Sequence, residues 1–345
     1  MNKSKKYAAA GVNIAEGDAA SKLAGKFAAL TFAGRKGIGK PVKLARGFAG
    51  ILDFGKYYLV MGDDGVGTKM EVAEKMKKFD TLGSDLLAMV ADDAVCLGAE
   101  VIAMTNTLDT QKVDRKIVGG LLKGLAKVCR NEGVVIAGGE LAEVGKAVNG
   151  MVWNATAIGI VDKKKVILGN KIQVGDAIIA LKEDGLRSNG FSLARKILAD
   201  KFGENYHRKF LGMKKWGELL LTPSKIYHSA ILDLVGRFGK KQAVAIKGIC
   251  HVTGGGIPGN LPRILPKSLG ARLTNLWKPA AWMKELIRLG KVSEKEAREV
   301  WNLGNGMLLV VAPKDIDKTL EILRKRKIPA RIAGEVTKGG EIVIE

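Results

Sequence analysis

The run Asp63-Asp64-Gly65-Val66-Gly67-Thr68-Lys69 sets two carboxylates, two glycines, a hydroxyl and an ammonium group side by side. Glycines at 65 and 67 let the backbone approach an anion closely, and Thr68 and Lys69 offer a hydroxyl and a point charge. The carboxylates could hold Mg²⁺ against phosphates. The spacing is not the GxxxxGK[ST] of a P-loop, so any phosphate cradle here is of another kind. Taken alone, the string also fits a turn carrying a surface lysine. A second cluster runs from Gly83-Ser84-Asp85 through Asp92-Asp93 to Gly98-Ala99-Glu100. Its acid pair lies in an apolar neighbourhood, where carboxylates lose hydration energy unless cations or a metal compensate. A third, Gly138-Gly139-Glu140-Leu141-Ala142-Glu143, follows an apolar run, where ligand loops of α/β sheets occur. A plain strand-to-helix turn with an acid on its first helical turn is the alternative there.

Further along come Leu186-Arg187-Ser188-Asn189-Gly190-Phe191-Ser192, His251-Val252-Thr253-Gly254-Gly255-Gly256-Ile257 and Trp301-Asn302-Leu303-Gly304-Asn305-Gly306-Met307. Core packing gives no reason for three successive glycines after Thr253, but a loop whose N–H groups face a phosphate does. His251 is one of three histidines and fits either a proton-transfer role or a hydrogen-bonded structural one.

These groups need a scaffold. Short apolar runs at 57–61, 101–104, 134–137, 155–161 and 177–181 predict buried strands. Residues 80–97 place Leu82, Leu86, Met89, Ala94 and Leu97 on one side of a helix, and residues 115–130 do the same with Ile117, Leu121, Leu125 and Val128. Helices are also expected at 192–201, 224–236, 293–300 and 315–325, and strands at 271–274 and 307–312. The alternation predicts an α/β or α+β chain. A charged stretch with Lys163, Lys164 and Lys165 precedes Gly175-Asp176, which places a domain boundary near residue 165.

With 345 residues, 47% of them hydrophobic, the chain can form two domains with real cores. Its net charge of +22 raises the question of nucleic acid. The basic residues are scattered in pairs and short runs, however, and five tyrosines and nine phenylalanines offer few stacking platforms. Nucleic acid is therefore not the expected partner; a solvated basic surface that attracts small anions is. Cys96, Cys129 and Cys250 are widely spaced and imply neither disulfides nor a zinc site. There is no signal-peptide pattern and no apolar run long enough for a bilayer, so a soluble, cytoplasmic protein without a membrane partner is expected.

Taken in order, the strings resemble the aminoimidazole ribonucleotide synthetase family over essentially the whole chain. They are AGVNI near Gly11, DGVGTK at 64–69, D-T-x-G-x-D-L-x-A-M at 80–89, the acid pair followed by GAE, and GGExAE at 138–143. SNGxSLxRKIL at 188–198, TPxxIY at 222–227, HxTGGGxxxNxPRxLP at 251–266, the N-x-G-x-G-M string and a final VIE complete the set. The resemblance implies two α/β (α+β) domains, with residues 1–165 binding ATP and dimerising and residues 166–345 forming the C-terminal domain. In the implied homodimer the N-terminal domains share a β-barrel, and ATP lies near the Gly-rich loops. The implied reaction uses ATP to phosphorylate the formyl oxygen of formylglycinamidine ribonucleotide. A ring-closing nitrogen then displaces phosphate, giving aminoimidazole ribonucleotide and ADP in purine biosynthesis.

On this reading Lys69, Asp64, His251 and Arg187 are the catalytic candidates, and Asp64, Asp93 and Glu140 the Mg²⁺ ligands. Gly65, Gly67, Thr68, Asp93, Gly138, Gly139, Glu140, Ser188, Asn189, Gly190, Thr253, Gly254, Gly255 and Gly256 would hold the nucleotide. Several positions depart from the family pattern. Arg187 stands where His precedes SNG, Gly259 where an acid precedes Asn260, Val101 where Pro follows GAE, and residues 106–114 replace an aromatic-and-acid stretch. Arginine stays charged and only donates, so Arg187 is expected on a phosphate or developing oxyanion, leaving acid–base work to His251. Two other readings remain. One is a paralogue that uses ATP on a different small acceptor, as thiamine-monophosphate kinase, a hydrogenase-maturation protein and selenophosphate synthetase do; the last wants an N-terminal reactive Cys, and the first here is Cys96. The other is a non-catalytic, basic nucleic-acid-binding or regulatory protein that retains the fold.

Overall fold

From Met151 to Asp162 the side chains alternate in burial, with Trp153, Ala155, Ala157 and Val161 inside and their neighbours facing out, as a strand covered on one face requires. In the computed structural model, which describes residues 5–43 and 47–345, this strand belongs to an open six-stranded sheet. The sheet comprises β1 (Lys40–Pro41), β2 (Gly50–Phe54), β3 (Tyr57–Gly65), β4 (Glu100–Thr110), β5 (Val135–Glu143) and β6 (Met151–Asp162), in the order β1-β2-β3-β6-β4-β5. Only β4 and β5 pair in parallel, and the crossover this demands is a helix. The helices of this half are α1 (Lys5–Ala9), α2 (Ile14–Leu30), α3 (Lys69–Met76), α4 (Leu82–Val95) and α5 (Arg115–Glu132). The crossover helix α5 starts on the Asp114 side chain, which accepts from the Lys116 N–H, and ends at Gly133 with φ 72°.

Helix α4 lies under the sheet, with Leu82, Leu86, Leu87 and Val90 fully buried, each leucine contributing about 2 kcal/mol by removal from water. It meets α5 backbone to backbone: a Cβ on Gly83 would lie 2.3 Å from the Leu125 nitrogen, and one on Gly124 2.3 Å from the Asp80 carbonyl. Among the described residues nothing covers the opposite face of the sheet. Across it Met61 pairs with Ile158, Ile158 with Ala103 and Ala103 with Val135, and Met61 and Val135 are 38% and 60% exposed.

Residues 138–143, expected to leave the sheet as a ligand loop, instead continue β5 along β4. Gly139 serves close strand approach here, since a Cβ would lie 2.6 Å from the Asn106 carbonyl oxygen.

A second six-stranded sheet contains β7 (Ala177–Lys182), β10 (Ile246–His251), β11 (Leu269–Leu273), β12 (Asn305–Val311), β13 (Ala330–Lys338) and β14 (Ile342–Ile344). Its order is β10-β12-β7-β13-β11-β14, and β8 (Phe210–Leu211) and β9 (Lys214–Lys215) form a separate ribbon. Every residue of β12 is buried, so the sheet is covered on both faces. Its helices are α6 (Phe191–Phe202), α7 (Trp216–Leu220), α8 (His228–Val235), α9 (Gly256–Asn260), α10 (Ala281–Leu289), α11 (Glu294–Val300) and α12 (Ile316–Lys325). One apolar cluster joins both halves, bringing Val66, Met70 and Leu86 together with Phe191, Leu193 and Trp216. The three cysteines are buried and unpaired. Among the described residues no helix is long and apolar enough to cross a membrane.

Candidate functional site

Three glycine-bearing segments meet at the junction of the two halves. The turn after β3 carries Gly67 with φ 54°, where a Cβ would approach the Ser188 carbonyl oxygen to 3.4 Å. Thr68 Oγ1 lies 3.4 Å from Ser192 Oγ. Asn189 in turn faces the glycine loop after β10, its Oδ1 3.2 Å from the position a Gly254 Cβ would take. Asn260 fastens that loop by donating to the carbonyls of Gly254 and Gly256 at 3.1 and 2.9 Å. Gly190, Gly255 and Gly256 all have left-handed φ, a conformation cheap only for glycine. Ser188 Oγ, Asn189 Nδ2 and His251 Nε2 are buried and have no hydrogen-bond partner among the described residues. Such orphans at one junction are the mark of a site that completes its bonding with a ligand.

The acids stand beside these loops. Asp64 ends β3 and accepts from the Gly65 N–H at 2.6 Å. Burial pushes its carboxyl up to about 6 against that hydrogen bond, with the Asp93 and Asp63 charges adding to the rise. Asp93 is pushed up by burial to about 7, the Arg263 and Arg187 charges pulling it back. Its Oδ1 lies 2.7 Å from His251 Nδ1, and burial holds His251 down to about 3, so the imidazole is neutral. Two half-buried carboxylates, the charge of Asp93 raising Asp64, suit a divalent cation. Mg²⁺ takes one or two carboxylates together with phosphate oxygens and water. Among the described residues no group of three or more His, Cys, Asp or Glu comes together to hold a metal ion.

Two cations named from the sequence lie beneath this surface. Lys69 and Asp85 are fully buried and paired at 2.7 Å, and Lys69 Nζ also donates to the Thr222 carbonyl at 2.7 Å. Asp85 accepts from Ser224 N at 3.0 Å. Arg187, in the left-handed region at φ 59°, is fully buried between Asp92 at 2.7 Å and Glu183 at 2.9 Å. Asp92 also accepts from Tyr227 N at 3.0 Å. Asp85 and Asp92 are seven residues apart on α4 and so share a face; both hold the segment 222–227 of the other half.

The structure therefore brings Asp64, Gly65, Gly67, Thr68, Asp93, Ser188, Asn189, Gly190, His251, Thr253 and Gly254 to one junction, with Gly255 and Gly256 completing the loop. Gly138, Gly139 and Glu140 lie elsewhere in the chain's own sheet. Asp64 pairs with Ala155, Ala155 with Asn106 and Asn106 with Gly139, a separation of roughly 14 Å at ordinary strand spacing. Sequence reasoning missed Glu183, for which no local signal exists. It named Asp85 in the second cluster and quoted Arg263 within the 251–266 string, but gave neither a role. The Arg263 guanidinium lies over the Phe48 ring at 4.0 Å and lowers Asp93.

Two mixed α/β halves joined through glycine loops and an acid-bearing helix define a class of protein. Residues 47–161 match the N-terminal domain, and residues 173–345 the C-terminal domain, of AIR synthase related protein. The chain belongs to this family. It is 39% identical over 340 residues to the phosphoribosylformylglycinamidine cyclo-ligase of Pyrococcus furiosus, covering 98% of this chain and 97% of that one. With the cyclo-ligase of Thermococcus kodakarensis it shares 38% identity over 320 residues, 92% of each chain. Among solved structures, thiamine-monophosphate kinase from Stenotrophomonas maltophilia superposes with a TM-score of 0.60 at 15% identity, covering 88% of this chain and 91% of that one. The tt0281 protein of Thermus thermophilus does so at 0.59 and 16%, covering 86% and 88%. At such identities these likenesses concern the fold.

Proposed function

We propose that this chain is an ATP-dependent phosphoribosylformylglycinamidine cyclo-ligase, closing formylglycinamidine ribonucleotide to aminoimidazole ribonucleotide with release of ADP and phosphate in the cytoplasm. The observation that carries the reading is the convergence of the 65–68, 188–190 and 253–256 loops around unpartnered Ser188 Oγ, Asn189 Nδ2 and His251 Nε2. Cyclo-ligase relatives of nearly full length support it.

In this reading the loops hold the nucleotide and substrate phosphates, and Asp64 and Asp93 hold Mg²⁺. The ion, when bound, offsets charge on the transferring phosphoryl group. Lys69 contributes its charge from beneath the loop, and His251, neutral and held by Asp93, is the group able to take or return a proton. Residues 1–165 and 166–345 are the two functional domains. The bare apolar face of the first sheet is proposed to be covered by a second copy of the chain, the two sheets completing a barrel in a homodimer. The three-strand separation of Glu140 from Asp64 fits a contribution of Gly138, Gly139 and Glu140 to the partner's site.

The test is incubation with ATP, Mg²⁺ and formylglycinamidine ribonucleotide, following ADP together with the diazo-coupled aromatic amine of the product. Stoichiometric formation of both is expected. ADP release only with another acceptor would make the protein a paralogue, and failure to complement a purine auxotroph lacking this step would agree with that outcome.

A further inference from the structure

Arg187 has one protein acceptor for each N–H of its two terminal nitrogens. Nη1 donates to Glu183 Oε2 and the Lys225 carbonyl, both at 2.9 Å. Nη2 donates to Asp92 Oδ2 at 2.7 Å and the Ala88 carbonyl at 3.3 Å. The guanidinium is 5.3 Å from the centre of the Tyr227 ring, and its side chain is wholly inaccessible. The sequence led to the expectation that this cation would meet a phosphate or oxyanion. With both terminal nitrogens committed, the guanidinium keeps only its buried Nε–H, which has no partner among the described residues, to offer a reactant.

We propose that Arg187 is a positioning residue, a clamp between the two halves that fixes α4 so that Asp93 is presented to His251 and the loop junction. The geometry is direct. Asp92 and Asp93 are adjacent on α4; the first is gripped by Arg187 from the loop after β7, and the second meets His251 at the end of β10. Holding one acid sets the rotation and depth of the helix turn that carries the other. Lysine at 187 could not serve both Asp92 and Glu183, because an ammonium lacks the planar fork. A histidine is too short to span the same acceptors.

The effect on activity rests on the cyclo-ligase reading; the clamp itself does not. Arg187→Met leaves two carboxylates buried without their cation, and Arg187→Met/Asp92→Asn/Glu183→Gln removes the same charges together. The expected result is a fall in kcat of at least tenfold for Arg187→Met and Arg187→Lys, with KM for ATP within about threefold of wild type. The triple variant should recover to within about tenfold of wild-type kcat, whereas a group that touches the reactants would leave it as inactive as the single variant, overturning the proposal. Arginine modification of the wild-type protein by phenylglyoxal, read by mass spectrometry, is independent of whether any variant folds. Arg187 should stay unmodified with and without ATP; modification, protected by ATP or not, would overturn the proposal. If the wild-type protein makes no aminoimidazole ribonucleotide, the functional reading fails, while the modification result and ADP affinity by calorimetry still judge the clamp.

Discussion

Replacing Lys69 by methionine keeps most of the side-chain volume and deletes the charge. Asp85 would then remain fully buried, with the Ser224 backbone N–H and hydroxyl as its remaining bonded partners. Breaking a buried pair in this way costs about 3–5 kcal/mol. For a cooperative chain of 345 residues that is a drop in Tm of roughly 4–7 °C. Adding Asp85→Asn keeps an acceptor for Ser224 and removes the stranded charge, so Lys69→Met/Asp85→Asn should regain more than half of the loss. Nucleotide turnover should not return with it: the stable double variant should stay at least about a hundredfold down, the scale of losing one charge that stabilises a transition state. Thermal unfolding by circular dichroism, run beside ADP release in the presence of formylglycinamidine ribonucleotide, separates the two effects. An unchanged Tm in Lys69→Met would refute the buried pair. A stable double variant with near-normal turnover would remove the ammonium group from the phosphate site.

Gly83→Ala should cost about 3 kcal/mol or more and be seen in denaturant unfolding, because its Cβ would meet the α5 backbone, which cannot step aside; a loss below 1 kcal/mol would refute the close crossing. Asp64, raised to about 6 in the fold, binds its proton more tightly there than in the unfolded chain, so its contribution to stability falls as pH rises from about 4 through 6. Without Mg²⁺ or nucleotide, Asp64→Asn should therefore be more stable than the parent at pH 7.5, by of order 1 kcal/mol, with the gap closing toward pH 4; a gap that widens on acidification would reverse the argument. Sedimentation should show a dimer that Val135→Lys converts to monomer, since the ammonium would sit in the apolar row of the open sheet face; a wild-type monomer at micromolar concentration would sink the barrel proposal.

Where a residue's role is local, the sequence carried it. The apolar run at 155–161 announced the later part of β6, and the apolar spacing of Leu82, Leu86 and Met89 announced α4. The adjacent acids Asp92 and Asp93 demanded cations, and the fold supplies Arg187 to Asp92 and the Arg263 and Arg187 charges, with a neutral His251, to Asp93. What escaped were roles set by partners distant in the chain. Nothing near Lys69 tells that its charge faces Asp85 and the Thr222 carbonyl, and nothing near Glu183 tells that it shares Arg187 with Asp92. Gly138 and Gly139 misled because glycine serves tight strand approach as readily as a ligand loop. Strands β10 and β13 went unread because Gly248 and Gly334 interrupt their apolar runs, each where a register shift falls.

Helix α4 belongs by sequence to the first half, yet its Asp85 and Asp92 are the anchorage of residues 222–227 in the second. Made alone, the first half would expose Asp92 without its arginine and the second would leave Arg187 to Glu183, while Asp85 would keep Lys69. The chain should melt as one unit rather than two, and catalysis cannot rely on the halves swinging apart like jaws. Admission of substrate and release of product then fall to the loops at the junction, over a base that stays shut.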